Sequence, residues 1–143
     1  MPRHRLLDMQ RLAPCLMFVG DQCGNAEEAM ELYVSAFEGS RVTHVERFAS
    51  GDAGEPGIRR ARFEVAGSEV LAMDSPGPHA FSFTPAMSLT VELDGADALD
   101  AAWGRLADGA TVLMPLDAYD FSPRFGWLQD RFGVTWQLNL VAA

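Results

Sequence analysis

The sequence predicts an α+β fold in which a βαβββ module occurs twice and the paired modules form curved mixed sheets with a central cleft. Three observations predict it. Apolar residues change from steps of two to steps of three and four in the same order in both halves. The predicted helices start near Ala26 and Ala96 and the first strands near Pro14 and Met87, so the order repeats at an offset of about 70 residues. Finally, 143 residues with 48% hydrophobic and 22% charged side chains suit one globular domain.

Residues 1–12 read as a loose, basic lead-in carrying Arg3, His4, Arg5 and Arg11. Asp8, Gln10 and Arg11 interrupt it, so it lacks the apolar stretch of a signal peptide. A single domain follows over 13–141. Its first module, about 13–75, opens with the apolar run Pro14 to Gly20, a buried strand. Asn25 to Glu38 then sets Ala26, Ala29, Met30, Tyr33 and Phe37 on one helical stripe, with Asn25 as N-cap and Gly39 closing it. Arg41 to Phe48 is a strand, and Ser50 to Gly57 a turn-rich loop. Ile58 to Ala66 alternates, with Ala61, Phe63 and Val65 on one side and Arg60, Arg62 and Glu64 on the other. Gly67 and Ser68 turn it into the returning strand Glu69 to Met73.

The Pro-containing linker 76–85 leads to the second module, about 86–141. Met87 to Leu93 alternates as a strand. Asp94 to Asp108 is a helix with Leu99, Ala102, Trp103 and Leu106 on its stripe, and Gly109 ends it. Ala110 to Leu116 is a strand, 117–124 a polar loop carrying Tyr119 and Phe121, and 125–130 and 134–141 a hairpin around Arg131 to Gly133.

Twenty acidic residues against eleven basic ones give a net charge of −9, which repels phosphate backbones and argues against a nucleic-acid partner. Every basic residue is Arg, so Schiff-base and P-loop lysine chemistry is excluded. No apolar run reaches the ~18 residues of a membrane span, so no membrane partner is expected. Cys15 and Cys23 are too few for a disulfide framework and read as reduced thiols of a cytoplasmic protein. Cys23 lies just before the helix cap, either as an activated thiol or as an inert loop residue.

A single helix covers one face of a four-stranded sheet, and the other face must meet something else. On the last strand the apolar set is Val134, Trp136, Leu138 and Leu140, and the polar set Thr135, Gln137 and Asn139. On the fifth strand Leu89, Val91 and Leu93 oppose Ser88, Thr90 and Glu92. The polar face is a ligand cleft or plain solvent; periodicity alone does not choose. Trp127, Trp136, Phe81 and Phe83 are the aromatic candidates for a pocket. Trp136 belongs to the core set, which leaves the linker pair Phe81 and Phe83 for ligand or dimer contact. Asp74 either faces the cleft as a base or simply ends its strand, and Asp130 and Arg131 build the hairpin turn.

Several long segments carry a resemblance: LMFVG (16–20), NAEEAMELYVSAFEG (25–39), HAFSFTPAMSL (79–89), LMPLDAYDFSPRFGW (113–127) and DRFGVTWQLNL (130–140). Through them the chain resembles the vicinal oxygen chelate superfamily (glyoxalase I, extradiol dioxygenases, fosfomycin and bleomycin resistance proteins). Within it, the chain is similar to the PhnB-like branch, often labelled 3-demethylubiquinone-9 3-methyltransferase. The resemblance implies a glyoxalase-like fold, a homodimer whose protomers exchange modules, and a small organic molecule held between sheets.

Metal-dependent members place His or Glu at equivalent strand positions; here those positions hold Cys15, Ser88 and Gln137, while His4, His44 and His79 lie elsewhere. Hydroxyl and amide oxygens are poor ligands for a transition metal, so neither a divalent metal nor another cofactor is expected. The expected ligand contacts are Met17, Phe81, Phe83, Ser88, Thr90 and Gln137, with Asp74 or Glu92 for acid–base help. The alternatives are a metal-assisted lyase, isomerase or dioxygenase, a protein that sequesters a cationic drug, and a structural dimer with a filled cleft. The methyltransferase label is not expected to be literal, because Gly20 to Gly24 is not a G-x-G-x-x-G turn and no βαβα run follows.

Overall fold

The computed structural model describes residues 10–141; Arg3, His4 and Arg5 of the lead-in lie outside the described residues. The first module contains β1 (Cys15–Phe18), α1 (Ala26–Ala36), β2 (Arg41–Arg47), β3 (Ile58–Val65) and β4 (Ser68–Asp74). The second contains β5 (Ser88–Leu93), α2 (Ala96–Leu106), β6 (Thr111–Tyr119), β7 (Ser122–Gln129) and β8 (Thr135–Leu140). The sheet orders are β1-β4-β3-β2 and β5-β8-β7-β6, the same topology with every index raised by four. In each sheet the first strand runs parallel to the last and the other pairs are antiparallel. The two sheets are thus mixed α+β layers of one repeated design.

Two local expectations change. The span 117–124 is not a loop: β6 and β7 run through it and leave Asp120 and Phe121 as the turn. Pairing continues through Asp117 with Phe125 and Tyr119 with Ser122, and the rings of Tyr119, Phe121 and Phe125 pack on one another at 5.0–5.9 Å. Cross-strand aromatic contacts thus extend a ladder that polar composition argued against. Between β1 and α1 a short 3₁₀ turn occupies Gly20–Gln22.

Both modules contribute to a single core. Leu16, Phe18, Ala61, Phe63, Val65, Val70 and Ala72 come from the first sheet, and Val91, Leu128, Trp136 and Leu138 from the second. The helices lie between them: α1 packs on β2, β3 and β4, α2 on β5 and β8, and the helices on each other. Tyr33 of α1 shows the arrangement within one side chain, since its ring lies 6.2 Å from Phe63 and 4.8 Å from Trp136. Its hydroxyl donates to Asp130 Oδ2 at 2.7 Å, beside Trp136 Nε1 at 3.0 Å. Asp130 Oδ1 accepts from the backbone amides of Phe132 and Val134. This buried carboxylate therefore builds the β7–β8 turn, as expected, and also pins α1 to the second sheet.

Candidate functional site

Strand alternation sends one set of side chains into the shared core and the other set to the opposite, outer face of each sheet. Because both sheets use their helix sides for one core, both outer faces turn away from it. No strand of one sheet is hydrogen-bonded to a strand of the other.

On the first sheet, register places Cys15, Leu71, Arg62 and His44 in one outer row. The next row holds Met17 beside Met73 and Arg60 beside Glu46. Cys15, Glu46, Arg59, Arg60, Arg62, Leu71 and Met73 line a cavity of about 700 Å³ here. Desolvation raises the Cys15 thiol pKa, with the Arg60 charge opposing. Glu46 is held below the ordinary carboxylate range by its hydrogen bond with His44, helped by Arg60 and Arg59.

On the second sheet, the outer rows are Ser88, Thr135 and Gln129, then Thr90, Gln137, Trp127 and Met114, then Glu92, Asn139, Phe125 and Asp117. Ser88 Oγ is hydrogen-bonded with Thr135 Oγ1 at 3.0 Å and receives Gln137 Nε2 at 3.4 Å. Gln137 is half-buried, while Thr90 and Glu92 are exposed. Trp127 Nε1 and Asn139 Oδ1 are buried and have no hydrogen-bond partner among the described residues. A donor and an acceptor in that state leave hydrogen-bonding capacity unspent. Neither is in the expected contact set; Trp127 was legible as an aromatic candidate and Asn139 as one of the polar set.

Two expected site residues have other work. Asp74 is fully buried: Oδ1 accepts from Gly24 N (2.7 Å) and Ala26 N (3.1 Å), and Oδ2 from Ile58 N (2.8 Å). It caps α1 from a distant strand, with its oxygens occupied by amides, so the geometry gives it no place as an acid–base group. Asn25, the expected cap, makes no side-chain cap bond and donates to Gln22 Oε1 instead. Phe83 packs edge-on against the core residue Phe18 at 5.2 Å and lies partly buried against the core, so it seals the core instead of facing the cleft. Phe81 is 61% exposed, its ring tilted against His79 at 5.1 Å.

The positions that match the family's metal ligands are split between the outer faces, Cys15 on one sheet and Ser88 with Gln137 on the other. A thiol of raised pKa, a hydroxyl and an amide do not fit a divalent ion. Among the described residues no group of three His, Cys, Asp or Glu side chains converges. Nor is any described helix long and apolar enough to cross a membrane.

The model of the family described as 3-demethylubiquinone-9 3-methyltransferase matches residues 10–139. No curated protein matches the chain. Among solved structures, a PhnB protein from Bacillus cereus is 40% identical over 92% of this chain and 100% of that one, with a TM-score of 0.85. A Pseudomonas aeruginosa protein is 27% identical over 94% and 100%, with a TM-score of 0.78. A glyoxylase/bleomycin resistance protein/dioxygenase domain from Frankia shares the fold at 14% identity and a TM-score of 0.62, over 92% of each chain.

Proposed function

Since the chain belongs to the PhnB-like 3-demethylubiquinone-9 3-methyltransferase family of the vicinal oxygen chelate superfamily, we propose that it is a small-molecule-binding protein. In this reading it works as a homodimer in the cytoplasm. The outer face of the first sheet of one protomer meets the outer face of the second sheet of its partner, and each of the two resulting clefts holds one small organic molecule.

The observation that carries this reading is the common core. Both sheets spend their helix sides on it, so a cleft between unlike modules requires a second copy. Three features support it further. All seven residues of the edge strand β2 are exposed. Met87, at the mouth of the second face, is 64% exposed. Trp127 and Asn139 keep unspent polar atoms on that face. Ligand contacts come from Met17, Ser88, Thr90, Gln137 and Trp127, with Phe81 at the rim and Glu92 the remaining titratable group on the fifth strand.

No methyl transfer is part of the reading. Two mixed four-stranded sheets are not the doubly wound parallel sheet on which a Gly-rich turn carries a nucleotide-like cofactor.

Native mass spectrometry of the full chain tests the proposal. The expected species is twice the 15.6 kDa chain, taking up one small molecule per cleft from a mixed fragment library. A monomer that takes up nothing would overturn it.

A further inference from the structure

The net charge of −9 suggests a cationic ligand, but the cavity on the first sheet has the opposite local sign. A β-bulge in β3 is the cause. Register passes from Glu46 opposite Arg60 to Arg47 opposite Ile58, so Arg59 has no partner position. Alternation breaks there: Ile58 and Ala61 are buried, and Arg59 and Arg60 between them are both exposed. Bulges re-aim side chains in this way beside binding sites. The neighbouring Arg47 goes to the helix side, where Glu27 takes it at 2.6 and 3.2 Å.

The three arginines of the cavity are under-neutralised. Among the described residues neither Arg59 nor Arg60 has an ion pair. Arg62 shares the single carboxylate oxygen Glu69 Oε1 with Arg11, at 3.1 and 2.7 Å. Against these three charges the lining sets two carboxylates, Asp74, tied to three backbone amides, and Glu46, bonded to His44 at 3.0 Å, so a positive charge remains in excess. Beside the guanidinium groups, Leu71, Met73 and Met17 offer an apolar strip in register with them. Distant surface carboxylates are screened over about 8–10 Å at ordinary salt, so they do not cancel this local field.

We propose that this face recognises a small organic anion: Arg59, Arg60 and Arg62 hold its carboxylate or phosphate, and its apolar body lies along Met17, Leu71 and Met73. Guanidinium groups suit both oxyanions, because their donors form a planar fork. The inference rests on the small-molecule reading above and names the class of that molecule.

Amide NMR titration of the full chain tests it with four probes of one shape: benzoate, phenyl phosphate, benzamide and benzylamine. Benzoate or phenyl phosphate is expected to shift resonances of 15–17, 59–62 and 71–73, and whichever binds tighter identifies the preferred oxyanion. Benzamide and benzylamine are expected to bind at least roughly tenfold more weakly. The double variant Arg59→Gln/Arg60→Gln, exposed at both positions, is expected to lose roughly tenfold or more in anion affinity with its spectrum otherwise retained. Equal affinity for benzamide, or anion binding that survives the double variant, overturns the inference. Binding of benzamide or benzylamine alone removes the anion but leaves the small-molecule reading standing. Binding of none of the four by a dimeric sample removes both.

Discussion

Among the described residues Asp74 and Asp130 are the two buried carboxylates, and both act on α1. Asp74 holds its N-terminus through Gly24 and Ala26, and Asp130 holds Tyr33 in its middle. Replacing Asp74 by Ala strands the buried amides of Ala26 and Ile58 and unpairs that of Gly24, so a loss of about 2–4 kcal/mol is expected in urea denaturation. Asp130 makes a pH prediction. Burial raises its pKa despite the hydrogen bonds from Tyr33, Phe132, Trp136 and Val134 that oppose the shift. The folded chain therefore binds this proton more tightly than the unfolded one. Its contribution is fully present below the ordinary Asp range and is lost as pH rises through the raised value. The stability gap between wild type and Asp130→Asn should narrow as pH rises above the ordinary Asp range, measured by denaturation at each pH. The role of Asp74 was not legible in the sequence, because its partner Ala26 lies 48 residues away. A strand-terminal Asp reads alike whether it faces a cleft or caps a distant helix. The place of Phe83 is hidden for a similar reason: its partner Phe18 belongs to the first strand, and the linker's composition says nothing of that contact.

At the scale of elements, periodicity and turn residues located both helices and all eight strands, including β2, which buries none of its residues. Gly39 and Gly109 do not themselves end the helices: the caps are Phe37 and Ala107, and the glycines lie two residues further on, at φ of +76° and +75°, in the turns closed by Ser40 N on Phe37 O and Ala110 N on Ala107 O. Two features of strand pairing escaped. The β6–β7 ladder is extended by Tyr119 and Phe121, which lie in the stretch of polar composition expected to be a loop, packing on Phe125 of the following strand. The bulge at Arg59 is invisible without the partner strand's register. A third feature concerns packing of α2 on its sheet. A Cβ at Gly126 of β7 would lie 2.5 and 2.7 Å from ring carbons of Trp103, so the missing side chain is what lets the indole lie close to the strand. Gly126→Ala should cost about 1–3 kcal/mol through overpacking, read as a lowered Tm, and Trp103→Leu in the same chain should recover part of it.

At the scale of the whole molecule, the duplication explains both the order in the sequence and the two sheet faces left outside the core. Each module covers one sheet face with its own helix, and the two covered sides then share a core. Two unlike faces remain, one with Arg59, Arg60 and Arg62, the other with Ser88, Gln137 and Trp127. The repeat itself was legible from spacing, but which sides of the sheets meet was not. That choice depends on residues such as Tyr33 that touch both sheets, and a helical stripe has the same form under either arrangement. Photo-crosslinking from the second face tests the central claim most directly. Gln137 is replaced by p-benzoylphenylalanine, light and heavy isotope-labelled protomers are mixed, and crosslinked peptides are identified by mass spectrometry. The account predicts mixed-isotope crosslinks from position 137 to peptides containing 15–17 or 59–62 of the other protomer. Crosslinks confined to position 137's own chain, or to the second module of a partner, would contradict it.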